Sequence, residues 1–337
     1  MPAMAIEGRN RSAPYTGRRR FISSVLLSLL YPGVAFADDY STGAVTIIVP
    51  FPPAGATDHL ARLLARGLSE RLGRPVVVEN RPGAGGAIGA AVAARAAADG
   101  HTLLMGGSTL VIEQVLGSKL GFDPERDLAP VALLAEGPLI LVASPSLGIT
   151  TVAELLTLAR QHPGQLAYAS VGAGSHTHLA GEMLKAATGV DLMHVPYKGG
   201  APALLAVMGS QVAVGIVTPL AAMENIRAGR VLALAVTGAR RLPSLPNVPT
   251  FAESGVPGIE LELWSAIFVP AKTPREIIAR LSTEIIAVVQ SAEVARTIED
   301  QGAFVVTSGP DEVGLRVHSD FASTSRLVKA VNLKVDE

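Results

Sequence analysis

The residues with the clearest chemical potential lie in a short loop between a predicted strand and a predicted helix. Residues 45–49 are almost wholly apolar, residues 50–58 read Pro-Phe-Pro-Pro-Ala-Gly-Ala-Thr-Asp, and leucines spaced along residues 60–72 form one helical stripe. The first N–H groups of a helix have no partner within it, and the helix dipole makes that end partly positive. The pattern therefore predicts a site for a carboxylate or a phosphate. Capping of the helix by Thr57 or Asp58 is the alternative interpretation.

A second loop of the same kind follows a short predicted strand at residues 166–170. Gly172 and Gly174 lie between this strand and a helix predicted over residues 178–188, and glycine lets backbone N–H groups approach a ligand closely. Two such helix starts, facing one cleft from opposite sides, could hold a carboxylate without any arginine. Local capping of the second helix is again the alternative interpretation.

The remaining reactive side chains do not form a recognisable catalytic or metal-binding pattern. His176 and His178 have the right chemistry for a metal, but no third ligand follows at a recognisable spacing, so a surface or packing role is favoured. The sequence has no G-x-S-x-G or H-E-x-x-H pattern and no phosphate-loop lysine, and Ile88 replaces the third glycine of a dinucleotide fingerprint. We therefore predict no catalysis, no metal and no cofactor. A secreted hydrolase using Ser108 or Ser170 with a histidine is the remote alternative.

The amino terminus has the features of an export signal. Five arginines precede an apolar stretch at residues 21–30, and Ala35-Phe36-Ala37 fits a cleavage site. We predict that residues 1–37 are removed and that the chain is exported to the periplasm, by the general secretory route or, because Arg18-Arg19-Arg20 precedes Phe21, by the twin-arginine route. The cleavage would remove five arginines and one glutamate and so lower the formal charge from −1 by four units. A mildly acidic chain argues against a nucleic-acid partner, and we predict no membrane span in the mature chain.

The elements that position the two loops alternate between strands and helices. From residue 45 to residue 105 the pattern reads strand, helix, strand, helix, strand, which is typical of a parallel sheet covered by helices. The last elements that the pattern predicts are helices over residues 274–290 and 291–301. The fold class is therefore α/β.

Two segments have the features of crossings between lobes, at residues 139–146 and at the proline- and glycine-rich residues 243–257. They predict a first lobe of residues 38–139 plus 260–337 and a second lobe of residues 140–259. Two crossings make a hinge, and a hinge leaves a cleft between the lobes. Ligand sites in parallel sheets lie beyond the carboxyl ends of the strands, where both loops are predicted to be.

An ordered set of segments gives the chain its resemblance to a known family. The chain resembles the Bug-type periplasmic solute-binding proteins, which are receptors associated with tripartite tricarboxylate transporters. No single motif decides this, but the set spans nearly the whole mature chain in order. The segments are IVPFPPAGATD (48–58), ENRPGAGG (79–86), DGHTLL (99–104), YASVGAGSHTHL (168–179), HVPYKG (194–199), AGRVLALAVT (228–237) and LPNVPT (245–250).

The resemblance implies a two-lobed, type II periplasmic-binding-protein fold in which each lobe is a mostly parallel sheet flanked by helices. It implies a small carboxylate ligand in the interlobe cleft and a monomeric receptor that delivers this ligand to membrane transporter subunits. A ligand-sensing module for a signalling partner is the alternative. With the glycines of the second loop, the candidate ligand-binding residues are Phe51, Ala54, Gly55, Ala56, Thr57, Asp58, Ser108, Ser170, Gly172, Gly174, Ser175, Tyr197 and Thr218.

Three places depart from the family pattern. Ala54-Gly55 stands where the family usually has two glycines, and Ala213 stands where an acidic residue often follows Gln-Val. The segment Gly215-Ile216-Val217-Thr218-Pro219 also differs from the common pattern. The resemblance therefore says least about the part of the ligand that is distal to the first loop.

Overall fold

The structure is a computed structural model that describes residues 43–53, 55–117, 121–331 and 333. The predicted export signal and Ala54 lie outside these residues. Within them, the helices are α1 (Ala56–Leu72), α2 (Ala87–Ala94), α3 (Ser108–Val115), α4 (Pro124–Asp127), α5 (Val152–Gln161), α6 (His176–Thr188), α7 (Gly200–Met208), α8 (Pro219–Arg227), α9 (Arg275–Val289), α10 (Ala292–Asp300) and α11 (Pro310–Ala330).

The described residues form two β-sheets. The first has six strands in the order β11-β4-β10-β3-β1-β2, and the second has five in the order β7-β6-β8-β5-β9. The strands are β1 (Val45–Val49), β2 (Val76–Asn80), β3 (Thr102–Gly107), β4 (Leu128–Pro138), β5 (Ile140–Ala143), β6 (Ala167–Ser170), β7 (Met193–Pro196), β8 (Val214–Val217), β9 (Leu232–Val236), β10 (Glu262–Pro270) and β11 (Phe304–Ser308).

The first sheet contains the predicted strand–helix–strand units. Strand β1 pairs in parallel with β2 and β3, and four of its five side chains are buried because helices cover the sheet on both faces. Strand β10 returns from the far end of the sequence and lies between β3 and β4, antiparallel to both. The late part of the chain thus completes a sheet that the early part begins.

The second sheet is built from the residues between the two crossings. Strand β6 pairs in parallel with β7 and β8, whereas β5 is antiparallel to β8 and β9. Its core includes the fully buried ring of Tyr168, with the helices α5 and α6 packed over the same face. The loop after β6 therefore leaves from a rigid, buried strand.

The two sheets are mixed, which differs from the mostly parallel sheets that we expected. Every antiparallel pair involves β4, β5 or β10, the strands that flank the two connections between the sheets. A chain that leaves one sheet and enters the other without an intervening helix has no crossover to restore the parallel direction. The parallel pairs remain where a helix connects two strands.

The described residues contain no helix that is long and apolar enough to cross a membrane.

Candidate functional site

The first loop ends in a helix whose start has no side-chain cap. Helix α1 begins at Ala56, and its N-cap residue is Gly55, which has extended backbone angles (φ −83°, ψ 171°) and no side-chain oxygen to accept from the first N–H groups. Neither Thr57 nor Asp58 is the N-cap, so that alternative is wrong. Gly55 and Ala56 are exposed and Thr57 is half-buried. The open end of α1 is thus accessible to a ligand.

Asp58 is buried in the first turn of α1, where the side chains of Arg62 and Asn80 bond to it. The carboxylate is only 3 % exposed. Its Oδ2 accepts from Nε of Arg62 at 2.9 Å, and its Oδ1 accepts from Nδ2 of Asn80 at 2.9 Å. Asn80 also donates to the carbonyl oxygen of Phe51 at 3.1 Å. These bonds fix the loop between Phe51 and the helix, which the sequence alone did not reveal.

The second loop uses most of its own donors. The N–H of Gly172 donates to Oγ of Ser170 at 3.2 Å, and the N–H of Gly174 donates to Nδ1 of His178 at 3.1 Å. Oγ of Ser175 accepts from the N–H of His178 at 3.2 Å and so caps α6. This differs from the expectation that the glycine amides are open donors, because local capping and an imidazole side chain occupy them.

Two stacked imidazole rings pack against the second loop and hydrogen-bond to it. The rings of His178 and His194 are 3.7 Å apart and nearly parallel, and Nε2 of His194 lies 2.7 Å from Oγ of Ser170. Burial, reinforced by the neighbouring His178, lowers the pKa of His194 to about 4, and burial also lowers the pKa of His178. Both rings are therefore neutral near pH 7, as the hydrogen bond that His178 accepts from Gly174 requires.

A cavity of about 640 Å³ lies between the start of α1 and the start of α8. It is lined by residues of the first loop and α1, by Leu220 of α8 and by Gln301, which follows α10; the residues of the first group are Pro53, Gly55, Ala56, Asp58, His59 and Arg62. Thr218 is the N-cap residue of α8, two positions before Leu220, and makes no side-chain cap bond. The structure thus brings the first loop and the start of α8 to one space.

The candidates Ser170, Gly172 and Tyr197 are linked to the start of α8 through short contacts. The N–H of Tyr197 donates to the carbonyl of Ser170 at 3.0 Å, and the N–H of Gly199 donates to the carbonyl of Val171 at 3.1 Å. A β-carbon placed on Gly200 would lie 3.1 Å from that of Ala221 in α8. Residues 170–172, 197–200 and 218–221 therefore form one continuous edge.

Ser108 lies where α3 of the first sheet meets α6 of the second. The imidazole of His176 hydrogen-bonds to the backbone of Ser108, and both residues line a cavity of about 250 Å³. Ile112 packs against Leu179 and Met183. Oγ of Ser108 accepts weakly from the N–H of Trp264 at 3.4 Å. The start of α3 and the start of α6 therefore lie against each other.

The geometry gives little support to hydrolysis. Oγ of Ser170 is at hydrogen-bonding distance from an imidazole, as a nucleophile would be, but Ser170 is fully buried. The carboxylate of Glu182 is near enough to act on the pKa of His194, but it accepts hydrogen bonds from Tyr168 and Lys185 instead. No group of three or more His, Cys, Asp or Glu that could hold a metal is found in the described part of the chain, and His176 and His178 are both buried.

The comparison with known proteins decides the family. The family model described as "Tripartite tricarboxylate transporter family receptor" (TctC) matches residues 60–333. The chain belongs to this family. BugT of Bordetella pertussis is a TctC relative that is 39 % identical over 278 residues, covering 82 % of this chain and 85 % of BugT. The resemblance to Bug-type receptors is thereby confirmed.

Solved structures of TctC relatives share the fold. Rpa4515 of R. palustris with adipate is 37 % identical (TM-score 0.80), and the match covers 86 % of this chain and 98 % of that one. The periplasmic binding protein BugD is 31 % identical (TM-score 0.77; 86 % and 98 %). MatC from Rhodopseudomonas palustris with bound malate is 32 % identical (TM-score 0.74; 85 % and 98 %). The predicted two-lobed periplasmic-binding-protein fold is confirmed, with the mixed sheets noted above.

Lowering the pH should destabilise this TctC receptor partly through His176. Burial lowers the pKa of His176 to about 4 from the ordinary 6.5. As the pH falls, His176 is therefore protonated in the unfolded chain before it is protonated in the folded chain. Its contribution to the free energy of unfolding is complete above pH 6.5 and falls as the pH drops towards 4, by up to about 1.4 kcal/mol per pH unit. Urea unfolding at pH 7.0, 6.0 and 5.0 should show a smaller loss for His176→Gln than for the wild type. Parallel losses in the two proteins would contradict this assignment.

Proposed function

We propose that the chain is a periplasmic receptor that binds a small organic carboxylate in a cleft between two lobes and supplies it to a tripartite tricarboxylate-type transporter. The lobes are residues 38–139 plus 260–337 and residues 140–259. The observation that carries the proposal is the uncapped, exposed start of α1, which shares a cavity with α8 of the other sheet in a chain of the TctC family. Catalysis, a metal and a cofactor play no part in it.

Helix starts explain how such a cleft favours an anion. Besides α1, the helices α3, α7 and α8 have Gly107, Gly199 and Thr218 as N-cap residues, and none of these makes a side-chain cap bond. Helix starts of this kind favour a carboxylate through their first backbone N–H groups and the helix dipole. Helix α6 differs because Ser175 caps it. Helix α1 therefore offers its first backbone donors to the cavity from the first lobe, through Gly55, Ala56 and Thr57.

The class of ligand follows from the relatives and from the edge of the second lobe. Rpa4515 is described with adipate and MatC with malate, both of which are dicarboxylates. In this chain, the half-buried Tyr197 and Thr218 carry hydroxyl groups on the edge that faces α1. We assign the first carboxylate to the start of α1 and the choice of the distal group to this edge, with Ser108, Ser170 and the backbone of residues 172–175 shaping the space between them.

Two sets of contacts between the lobes define how the cleft can close. Helix α3 packs on α6 at one side, and a β-carbon on Gly302, before β11, would lie only 2.4 Å from Pro219 of α8 at the other. The ligand shifts a pre-existing balance between open and closed arrangements. Closure excludes water, which strengthens the hydrogen bonds to the anion. Removal of residues 1–37 during export places the receptor in the periplasm, where it acts as a monomer.

A thermal-shift screen tests the proposal. Aliphatic di- and tricarboxylates, including adipate and malate, should raise the melting temperature, because occupancy adds about 2.7 kcal/mol at 100 times the dissociation constant. Dimethyl adipate is the matched control, since it keeps the carbon chain and lacks the charge. An equal shift from the ester, or no shift from any carboxylate, would contradict the proposal. Loss of carboxylate uptake on deletion of the gene would then connect binding to transport.

A further inference from the structure

An acidic side chain lies in the first helical turn of a site that is proposed to bind an anion. Asp58 is 3 % exposed, is the third residue of α1, and lines the same 640 Å³ cavity as Gly55 and Ala56. A lone carboxylate this close to the open helix end would repel an anionic ligand, and it would do so strongly because burial reduces solvent screening. Ligand binding at this site therefore requires a counter-charge for the carboxylate of Asp58.

Arg62 supplies the counter-charge for Asp58, and Asn80 binds the other carboxylate oxygen. Arg62 follows Asp58 by one helical turn, so the two side chains lie on the same face of α1. Nε of Arg62 donates to Oδ2 of Asp58 at 2.9 Å, Nδ2 of Asn80 donates to Oδ1 at 2.9 Å, and Nη2 of Arg62 donates to Oδ1 of Asn80 at 3.2 Å. The three side chains form a closed ring of hydrogen bonds in which each carboxylate oxygen has a donor.

The ring is attached to both ends of the first loop. Asn80 ends β2 and donates to the carbonyl of Phe51, while Asp58 belongs to α1. The side chain of Arg62 is 54 % exposed, whereas that of Asp58 is 4 % exposed. Both side chains line the cavity, but the guanidinium group of Arg62 is on the exposed side of the ring and the carboxylate of Asp58 is on the buried side.

We propose that Arg62 is a positioning residue of the carboxylate site: it neutralises Asp58 and holds it in the ring with Asn80, without contacting the ligand. This inference rests on the proposed function. It explains how an acid is tolerated beside the open end of α1, because the ligand meets a neutral pair. It also predicts that removing Arg62 alone lowers the affinity for the ligand more than removing both charges does.

A charge-pair cycle, with adipate as the probe in isothermal titration calorimetry, tests the inference. Arg62→Met should weaken adipate binding by about 10-fold or more, because the buried Asp58 loses its guanidinium partner. The double variant Asp58→Asn, Arg62→Met should bind adipate at least about 3-fold more tightly than Arg62→Met. Arg66→Met is the matched control: Arg66 lies one turn further along α1 and pairs with the exposed Glu293.

The outcomes separate the possible failures. If the double variant binds as weakly as Arg62→Met, then Arg62 contacts the ligand or supports the fold, and the inference is overturned. If Arg66→Met weakens binding as much as Arg62→Met, the effect is not specific to the pair and the inference also fails. If the wild type binds neither adipate nor any other carboxylate of the screen, the proposed function fails and the inference falls with it.

Discussion

Replacing Ala56 by proline should weaken carboxylate binding by about 10- to 100-fold and leave the fold intact. Ala56 is the first residue of α1. Proline is well tolerated at this position, and the extended angles of Gly55 (φ −83°, ψ 171°) are those required of a residue before proline. The substitution removes one backbone N–H from the proposed anion site. A hydrogen bond to a charged group contributes about 1.5–3 kcal/mol, which corresponds to the stated loss.

The matched control for this variant is Ala292→Pro. Ala292 is the first residue of α10, it is exposed, and Ser291 before it is also extended (φ −62°, ψ 143°). Ala292 does not line the cavity at α1. Calorimetry with the carboxylate that gives the largest thermal shift should show wild-type affinity for Ala292→Pro, and both variants should melt within a few degrees of the wild type. If Ala56→Pro binds with wild-type affinity, the backbone N–H of Ala56 does not bind the ligand.

The strand–loop–helix units could be predicted from the sequence because their signals are local. The apolar run of β1 and the leucine stripe of α1 have the periods of a buried strand and an amphipathic helix, and proline and glycine separate them. The same reasoning placed the loop after β6. Helix α3 was missed because it begins directly after Gly107, the last residue of β3, with no turn residues to mark a boundary.

The end of the chain was missed for a different reason. Helix α11 covers the first sheet with a weak apolar stripe, of which Val313 and Val317 are buried, so its periodicity does not stand out. Strand β11 lies at the edge of its sheet, and only Phe304 among its residues is fully buried. Elements whose stability comes mostly from tertiary packing leave little pattern in the sequence.

The candidate site was predictable as a set of loops but not as a set of contacts. The pair of Asp58 and Arg62 could have been found from the spacing of four residues on a helix. The partner Asn80 could not, because it lies at the end of another strand and 22 residues away. The same holds for His178 and His194, whose side chains support the second loop from α6 and β7. Long-range side-chain pairs depend on the register of the sheet, which local patterns do not fix.

Replacing Gly107 by alanine should destabilise the protein by about 3 kcal/mol or more, because overpacking against rigid backbone exceeds the usual cost of an added methyl group. Gly107 is directly opposite Ser265 in the pairing of β3 with β10. A β-carbon at Gly107 would lie 2.1 Å from the carbonyl oxygen of Trp264 and 3.3 Å from the Cα of Ser265. The backbone angle of Gly107 (φ 165°) is ordinary extended structure, so the cost is steric rather than conformational.

The neighbouring glycine provides the comparison that isolates this effect. A β-carbon on Gly106 would meet the ring of Phe268 at 2.8 Å and the end of the Leu110 side chain at 2.9 Å, and both of these are side chains rather than backbone. Gly106→Ala should therefore cost about 1–2 kcal/mol, less than Gly107→Ala. Urea unfolding followed by far-ultraviolet circular dichroism avoids relying on the fluorescence of Trp264, whose surroundings change.

Because Gly107 is also the N-cap residue of α3, displacement of β10 would move Ser108, so Gly107→Ala alone should lose ligand affinity as well as stability. Equal losses of stability in the two variants would show that β3 and β10 can separate without cost at this point, and that the start of α3 is not held by the backbone of β10.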